Sequence, residues 1–328
     1  MPRVLITPSE MLHQQTPGRQ LLEQAGFEVV FPPPGIDLYD EDRLIRHLPG
    51  IDAMLAGMEP LSRRVLEASQ LRAVARFGVG YDAVDVTAAR QLGIAVAITP
   101  GVNQVSAAEH TMALLLAVFR QILPRDATVR NGSWQRPWFP RLAGKTLGLI
   151  GLGRIGREVV PRAQAFGLQV IAFDPFADAD FARKSSVSLL PLQDVLNQAD
   201  IVSLHLPCTE TSRKMINQES LATMREGAVL INTARGGLVD EPALVKALKS
   251  GKLRAAGLDA FDVEPPSPDN PLLQLPNVVL TPHTAGLDDD SVAGMGTRAS
   301  EWLVKLYQGG TVPADSLVSP ESLSGWTW

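Results

Sequence analysis

Three side chains in the last third of the chain are the types needed to move a proton and hold a carboxylate beside a carbonyl. Arg235 lies in "LINTARGGLVDEPAL", Glu264 in "AAGLDAFDVEPP" and His283 in "NVVLTPHTAG". A guanidinium fork matches a carboxylate with two parallel hydrogen bonds. An imidazole can give or take a hydroxyl proton. A neighbouring acid orients that imidazole and stabilises its charged form. Singly, each has a plainer reading: a solvated arginine, a surface acid before a proline, a structural histidine after a strand. Glu264 and His283 are also too far apart to meet along one helix or strand. Each of the three, with Asp259, closes a predicted strand, and in an open α/β sheet the ligand crevice lies at the carboxyl ends of the strands. That shared placement, downstream of a nucleotide fingerprint, makes them a set.

The fingerprint is "KTLGLIGLGRIGREVVPRAQAFGLQVIAFD", where Gly151, Gly153 and Gly156 form G-x-G-x-x-G between a predicted strand and a predicted helix. The glycines suit a tight turn, a close backbone approach to a pyrophosphate and close helix–strand packing. The pyrophosphate would sit on the helix N-terminus, where free N–H groups and the helix dipole favour an anion. The second strand, "QVIAFD", ends in Asp174, whose carboxylate can accept from both adenosine ribose hydroxyls and would repel a 2′-phosphate. NAD is expected over NADP. An S-adenosylmethionine domain is the rival, since it too uses a glycine-rich loop and a ribose-binding acid; Arg154 and Ile155 inside the loop favour the dinucleotide.

The elements that must position these residues follow one alternation. Short apolar runs at 4–7, 28–31, 52–57, 71–78 and 94–99 read as strands, separated by the helical patterns "GRQLLEQAG", "DEDRLIRHL", "SRRVLEAS" and "DVTAARQLG". Strands alternating with helices of this length imply βαβ units and a parallel sheet. "NQVSAAEHTMALLLAVFRQIL", 103–123, reads as one long buried helix ending at Pro124. A second series of βαβ units runs from 146 to about 283, and a final helix from about 288 to 308. The tail "SLVSPESLSGWTW" shows no pattern and reads as loosely ordered.

At 328 residues the length suggests two domains. The net charge of −5, with no strongly basic stretch, gives no footprint for nucleic acid or an anionic membrane. No apolar run approaches the roughly 20 residues that span a bilayer, and "MPRVLITPSE" is a strand-like start, no signal peptide. The single cysteine, Cys208, rules out an intrachain disulfide framework. A cytoplasmic setting is expected, without a metal site.

The sequence resembles the D-isomer-specific 2-hydroxyacid dehydrogenases, and among them most the short D-3-phosphoglycerate dehydrogenases. The matching runs are "ARFGVGYDAVD", "GVNQVSAAEH", "LAGKTLGLIGLGRIG", "LHLPCTETSRKMIN" and the three segments quoted first, in order over about 70–290. The resemblance implies two doubly wound parallel-sheet domains with a cleft between them. One is a flavodoxin-like substrate domain, 1–99 completed by 287–328; the other is a Rossmann NAD-binding domain, 100–286. It implies Arg235, Glu264 and His283 as the catalytic set. It also implies NAD contacts at Arg154, Ile155 and Asp174, along Thr233, Ala234 and Arg235, at Asp259 near the nicotinamide carboxamide, and from His283 to Gly286. Backbone N–H groups of Val79 and Gly80 would hold the carboxylate of a small 2-hydroxy or 2-keto acid, and the 103–123 helix would build a homodimer. Members that oxidise phosphoglycerate usually carry an arginine after the third strand; here Ala56 takes that place in "MLAGMEPLSRR" and Glu59 adds a negative charge, which points to an unphosphorylated substrate. Glyoxylate or hydroxypyruvate reduction, phosphite oxidation and a non-enzymatic NAD-binding corepressor remain alternatives. Formate enzymes place a glutamine where Glu264 stands.

Overall fold

The computed structural model describes residues 1–11, 15–318 and 325–328. The chain forms two compact units, Met1–Asn103 with Leu287–Trp328, and Gln104–Gly286.

Unit 1 opens with β1 (Arg3–Ile6), α1 (Pro17–Gln24), β2 (Glu28–Val30), α2 (Glu41–His47), β3 (Ala53–Ala56), α3 (Arg63–Glu67), β4 (Ala73–Arg76), α4 (Val86–Gln91) and β5 (Ala95–Ala97). Thr16, Asp40, Ser62 and Asp85 each cap the following helix, accepting from backbone N–H groups of its first turn. Unit 2 follows with α5 (Gln104–Arg120), α6 (Ile122–Arg130), β6 (Thr146–Ile150), α7 (Arg154–Ala165), β7 (Gln169–Phe173), α8 (Ala179–Lys184), β8 (Ser188–Leu189), α9 (Leu192–Gln198), β9 (Ile201–Leu204), α10 (Gln218–Thr223), β10 (Ala228–Asn232), α11 (Glu241–Ser250), β11 (Leu253–Leu258) and β12 (Val278–Leu280). Then α12 (Asp289–Tyr307) and β13 (Leu317–Val318) return to unit 1.

The sheet of unit 1 runs β2-β1-β3-β4-β5-β13, so the strand order reverses between β1 and β3. That of unit 2 runs β8-β7-β6-β9-β10-β11-β12, parallel throughout, and reverses between β6 and β9. Both sheets are covered on two faces, which is why β3 (Ala-Met-Leu-Ala), β9 (Ile-Val-Ser-Leu) and β10 (Ala-Val-Leu-Ile-Asn) are buried along their whole length. The expected pair of doubly wound sheets is therefore present. In each unit the apolar residues form two clusters, in unit 1 one around Leu5, Met54 and Val74 and the other around Ile6, Leu55 and Trp302. Among the described residues no helix is long and apolar enough to cross a membrane.

Two expectations fail locally. The 103–123 helix is broken: α5 ends at Arg120, Gln121 turns left-handed (φ 50°), and α6 starts at Ile122. Pro124 does not end a helix, because it falls in the first turn of α6, where a missing N–H costs nothing. The tail is also more than a loose end. β13 pairs antiparallel with β5, so this edge of the sheet is not parallel. Trp328 packs edge-on against Phe27 and Tyr307, and the Trp326 indole donates to the Gly93 carbonyl. The stretch 319–324 of that tail lies outside the described residues.

Candidate active site

The nucleotide crevice of unit 2 is shaped by what its glycines omit. Gly151, at the end of β6, has φ 103°, and a Cβ there would lie 2.3 Å from the His205 carbonyl oxygen. A Cβ at Gly156 would lie 2.4 Å from the Gly151 carbonyl oxygen, so α7 could not approach the loop. A Cβ at Gly153 would meet nothing within 4 Å: this position faces open space at the start of α7. No side chain caps α7, leaving its first-turn N–H groups for an anion. Asp174 closes β7; its Oδ2 accepts from the Leu152 N–H (2.8 Å) and its Oδ1 from the Phe176 N–H (2.8 Å). The carboxylate is thus fixed beside the loop with lone pairs to spare for hydroxyl donors. A dinucleotide fits these residues: pyrophosphate over Gly153 and α7, ribose at Asp174.

Arg235, Asp259, Glu264 and His283 all stand on the loops that leave β10, β11 and β12 at this same edge. Asn232, buried at the end of β10, shapes the Thr233–Arg235 turn, accepting from the Ala234 N–H (3.0 Å) and donating to the Arg235 carbonyl (2.9 Å). Thr233 is tied to α5 through Thr111 (2.8 Å between hydroxyls). Beyond Arg235 the chain passes so close to the next loop that a Cβ on Gly236 would sit 1.8 Å from the Phe261 carbonyl carbon.

The histidine and the acid meet. His283 Nδ1 lies 2.7 Å from Glu264 Oε2, and Glu264 Oε1 accepts the Phe261 N–H at 2.9 Å. A carboxylate is only an acceptor, so Nδ1 carries the proton of this bond and Nε2 is the nitrogen left to exchange a proton with a ligand. Both side chains are about one-quarter exposed, so the pair is reachable from solvent. The loop carrying the acid is tied to α11: Glu241 accepts from the Asp262 N–H and the Asn270 amide, both at 2.8 Å.

Asp259 performs a task that its position in sequence did not reveal. It is 1% exposed, and its carboxylate takes the Thr281 hydroxyl (2.6 Å) and the N–H groups of Thr284 (2.9 Å) and Ala285 (2.8 Å). Its carbonyl accepts the His283 N–H (2.9 Å), and His283 itself has φ 55°. Asp259 therefore folds the loop that presents the histidine. Burial by itself would raise this carboxyl, but hydrogen bonds from His110, Thr281, Thr284 and Ala285 outweigh it and hold the group below the usual carboxylate range. The sequence reading missed His110 and Thr281: His110 Nε2 on α5 lies 2.9 Å from Thr281 Oγ1. Also missed was His205, whose imidazole burial pushes down to about 4.

Val79 and Gly80 belong to unit 1, in the turn after β4. Arg76, 2% exposed, donates from Nε to the Gly80 carbonyl (3.1 Å), and the Gly78 N–H donates to Thr99 Oγ1 (3.1 Å). The turn is thereby held from beneath, with Val79 38% exposed.

Residues 112–285 match the model of the D-isomer specific 2-hydroxyacid dehydrogenase NAD-binding domain. The chain is 40% identical over 286 residues to the glyoxylate reductase of Korarchaeum cryptofilum, covering 85% of this chain and 86% of that one. It is 40% identical over 272 residues to the D-3-phosphoglycerate dehydrogenase of Archaeoglobus fulgidus, covering 82% of this chain but 52% of the relative, so it spans about half the length of that enzyme. The NAD complex of the NAD-dependent formate dehydrogenase from Staphylococcus aureus superposes with a TM-score of 0.86 at 25% identity, over 97% of this chain and 99% of that one. The chain belongs to the D-isomer specific 2-hydroxyacid dehydrogenase family.

Proposed function

We propose that the protein is an NAD-dependent oxidoreductase that moves a hydride between NAD(H) and C2 of a D-2-hydroxy or 2-keto acid. The observation that carries this reading is the His283–Glu264 bond of 2.7 Å, on loops at the same edge of the sheet as the Gly151–Gly156 crevice and Arg235. NAD(H), when bound, supplies or takes up the hydride. In the reducing direction protonated His283 gives its Nε2 proton to the oxygen developing on C2, and Glu264, through Nδ1, stabilises the imidazolium that makes this donation. Arg235 polarises the carbonyl and holds the carboxylate, which the N–H groups of Val79 and Gly80 also receive. Asp174 favours NAD over NADP.

The D-3-phosphoglycerate dehydrogenase and glyoxylate reductase relatives bracket the substrate choice. The test is loss of NADH absorbance with glyoxylate, pyruvate, hydroxypyruvate and phosphohydroxypyruvate, then NADH formation from NAD and phosphite. Turnover of at least one keto acid supports the reading. NADH binding without any turnover would leave the non-enzymatic alternative, and phosphite oxidation alone would replace it. The protein acts as a cytoplasmic homodimer in this reading. Apolar side chains exposed just beyond α5, at Ile122, Leu123, Val129, Trp134 and Trp138, support a buried partner surface there.

A further inference from the structure

Glu59 is an acid that the proposed chemistry does not use, yet unit 1 buries it at its ligand-binding end. It follows β3, is 4% exposed, and reaches the end of β1, where the Thr7 hydroxyl donates to its Oε1 at 2.6 Å. The Gly57 N–H donates to the same oxygen at 3.0 Å. These bonds close over the point where the strand order reverses between β1 and β3, the place where open α/β sheets bind ligands. Among the described residues Oε2 has no hydrogen-bond partner, and Gly57 leaves it room: a Cβ there would lie 2.9 Å from Oε2. The two cations of α3 are directed elsewhere: Arg63 bonds to Glu67 and Gln91, and Arg64 pairs with Asp42 and Glu41. Arg76 Nη2 also touches the sulfur of Met58 (3.5 Å), the residue before Glu59, linking the acid to the Val79–Gly80 turn.

We infer that Glu59 is a specificity-determining residue that reads the substituent on C3 of the substrate. This rests on the dehydrogenase reading and narrows it: the substrate is an unphosphorylated 2-keto or 2-hydroxy acid with a hydrogen-bond donor, a hydroxyl or an ammonium, beyond C2. An open acceptor on an otherwise buried side chain rewards a donor on the ligand and is left unpaired when an apolar group covers it instead. A phosphate in the same place sets a second negative charge against the carboxylate.

Three acids differing only at C3 (pyruvate, hydroxypyruvate and phosphohydroxypyruvate) test this with the native chain, Glu59→Gln and Glu59→Asp. Glutamine can keep both bonds at Oε1 while turning Oε2 from an acceptor into a donor. The native chain should prefer hydroxypyruvate over both others in kcat/KM. In Glu59→Gln the phosphohydroxypyruvate-to-pyruvate ratio should rise, and the hydroxypyruvate-to-pyruvate ratio fall, each by on the order of tenfold or more. Glu59→Asp, which keeps the charge but withdraws it, should lose the hydroxyl preference and still reject the phosphate, and it carries the test if Glu59→Gln does not fold. Native turnover with ratios unchanged in the variants, or a native preference for phosphohydroxypyruvate, would overturn the role of Glu59 alone. Inactivity of the native chain on all three would overturn the dehydrogenase reading with it.

Discussion

His283 is fixed at its ring by Glu264 and at its backbone by Asp259, and the second bond explains how a non-glycine residue stays at φ 55°. A left-handed conformation costs of order 1 kcal/mol and persists where surrounding bonds over-determine it. The place of Arg235, Glu264 and His283 at strand ends, and the pairing of the last two, were legible in sequence because each follows a strand pattern. The His110–Thr281–Asp259 chain was not, since His110 and Thr281 are 171 residues apart and no local spacing links them. His205 was equally silent, and its environment has a measurable consequence. Burial holds its imidazole at about 4, against 6.5 when free, so the unfolded chain takes up a proton that the fold refuses. Stability from this residue is therefore complete above pH 6.5 and is lost as the pH falls towards 4, by at most about 3 kcal/mol. His205→Gln should flatten the dependence of the urea midpoint on pH between 6.5 and 4; an unchanged slope would show that the ring is solvated.

At the scale of elements, strand and helix order could be read from periodicity, and close approaches could not. Nothing in "NTARGGLVD" tells that Gly236 lies against the Phe261–Asp262 backbone, whereas Gly237 beside it meets only the ends of side chains. Gly236→Ala should destabilise the protein by roughly 2–3 kcal/mol or more, because backbone rather than a flexible side chain must give way. It should also disturb Arg235, whereas Gly237→Ala should be milder. Urea unfolding of the two variants, run together, checks the order; equal losses would contradict it. The break at Gln121 escaped the sequence reading for a related reason: the run stays apolar across it, and a proline that stops one helix is acceptable in the first turn of the next.

At the scale of the whole molecule, the chain leaves unit 1 at Asn103 and comes back at Leu287. α12 fits closely on α1, where a Cβ on Gly18 would lie 2.6 Å from the Gly296 carbonyl oxygen, and the Trp302 indole donates to the Ile98 carbonyl. The patternless tail hid its part in this unit because isolated tryptophans have no period to read. A chain ending at Gly310 would lack β13 and the contacts of Trp328 with Phe27 and Tyr307. Such aromatic pairs contribute about 0.5–1.5 kcal/mol each beyond their buried area, so truncation should lower the calorimetric Tm by several degrees, and an unchanged Tm would make the tail dispensable. The most direct test of the whole account is steady-state NADH oxidation by the native protein and by His283→Ala, using the best 2-keto acid of the panel, with NADH binding followed by fluorescence. Loss of a positioned general acid should lower kcat by about 10²–10⁴-fold and leave the NADH Kd within a few-fold. Turnover by His283→Ala at the native rate would contradict it.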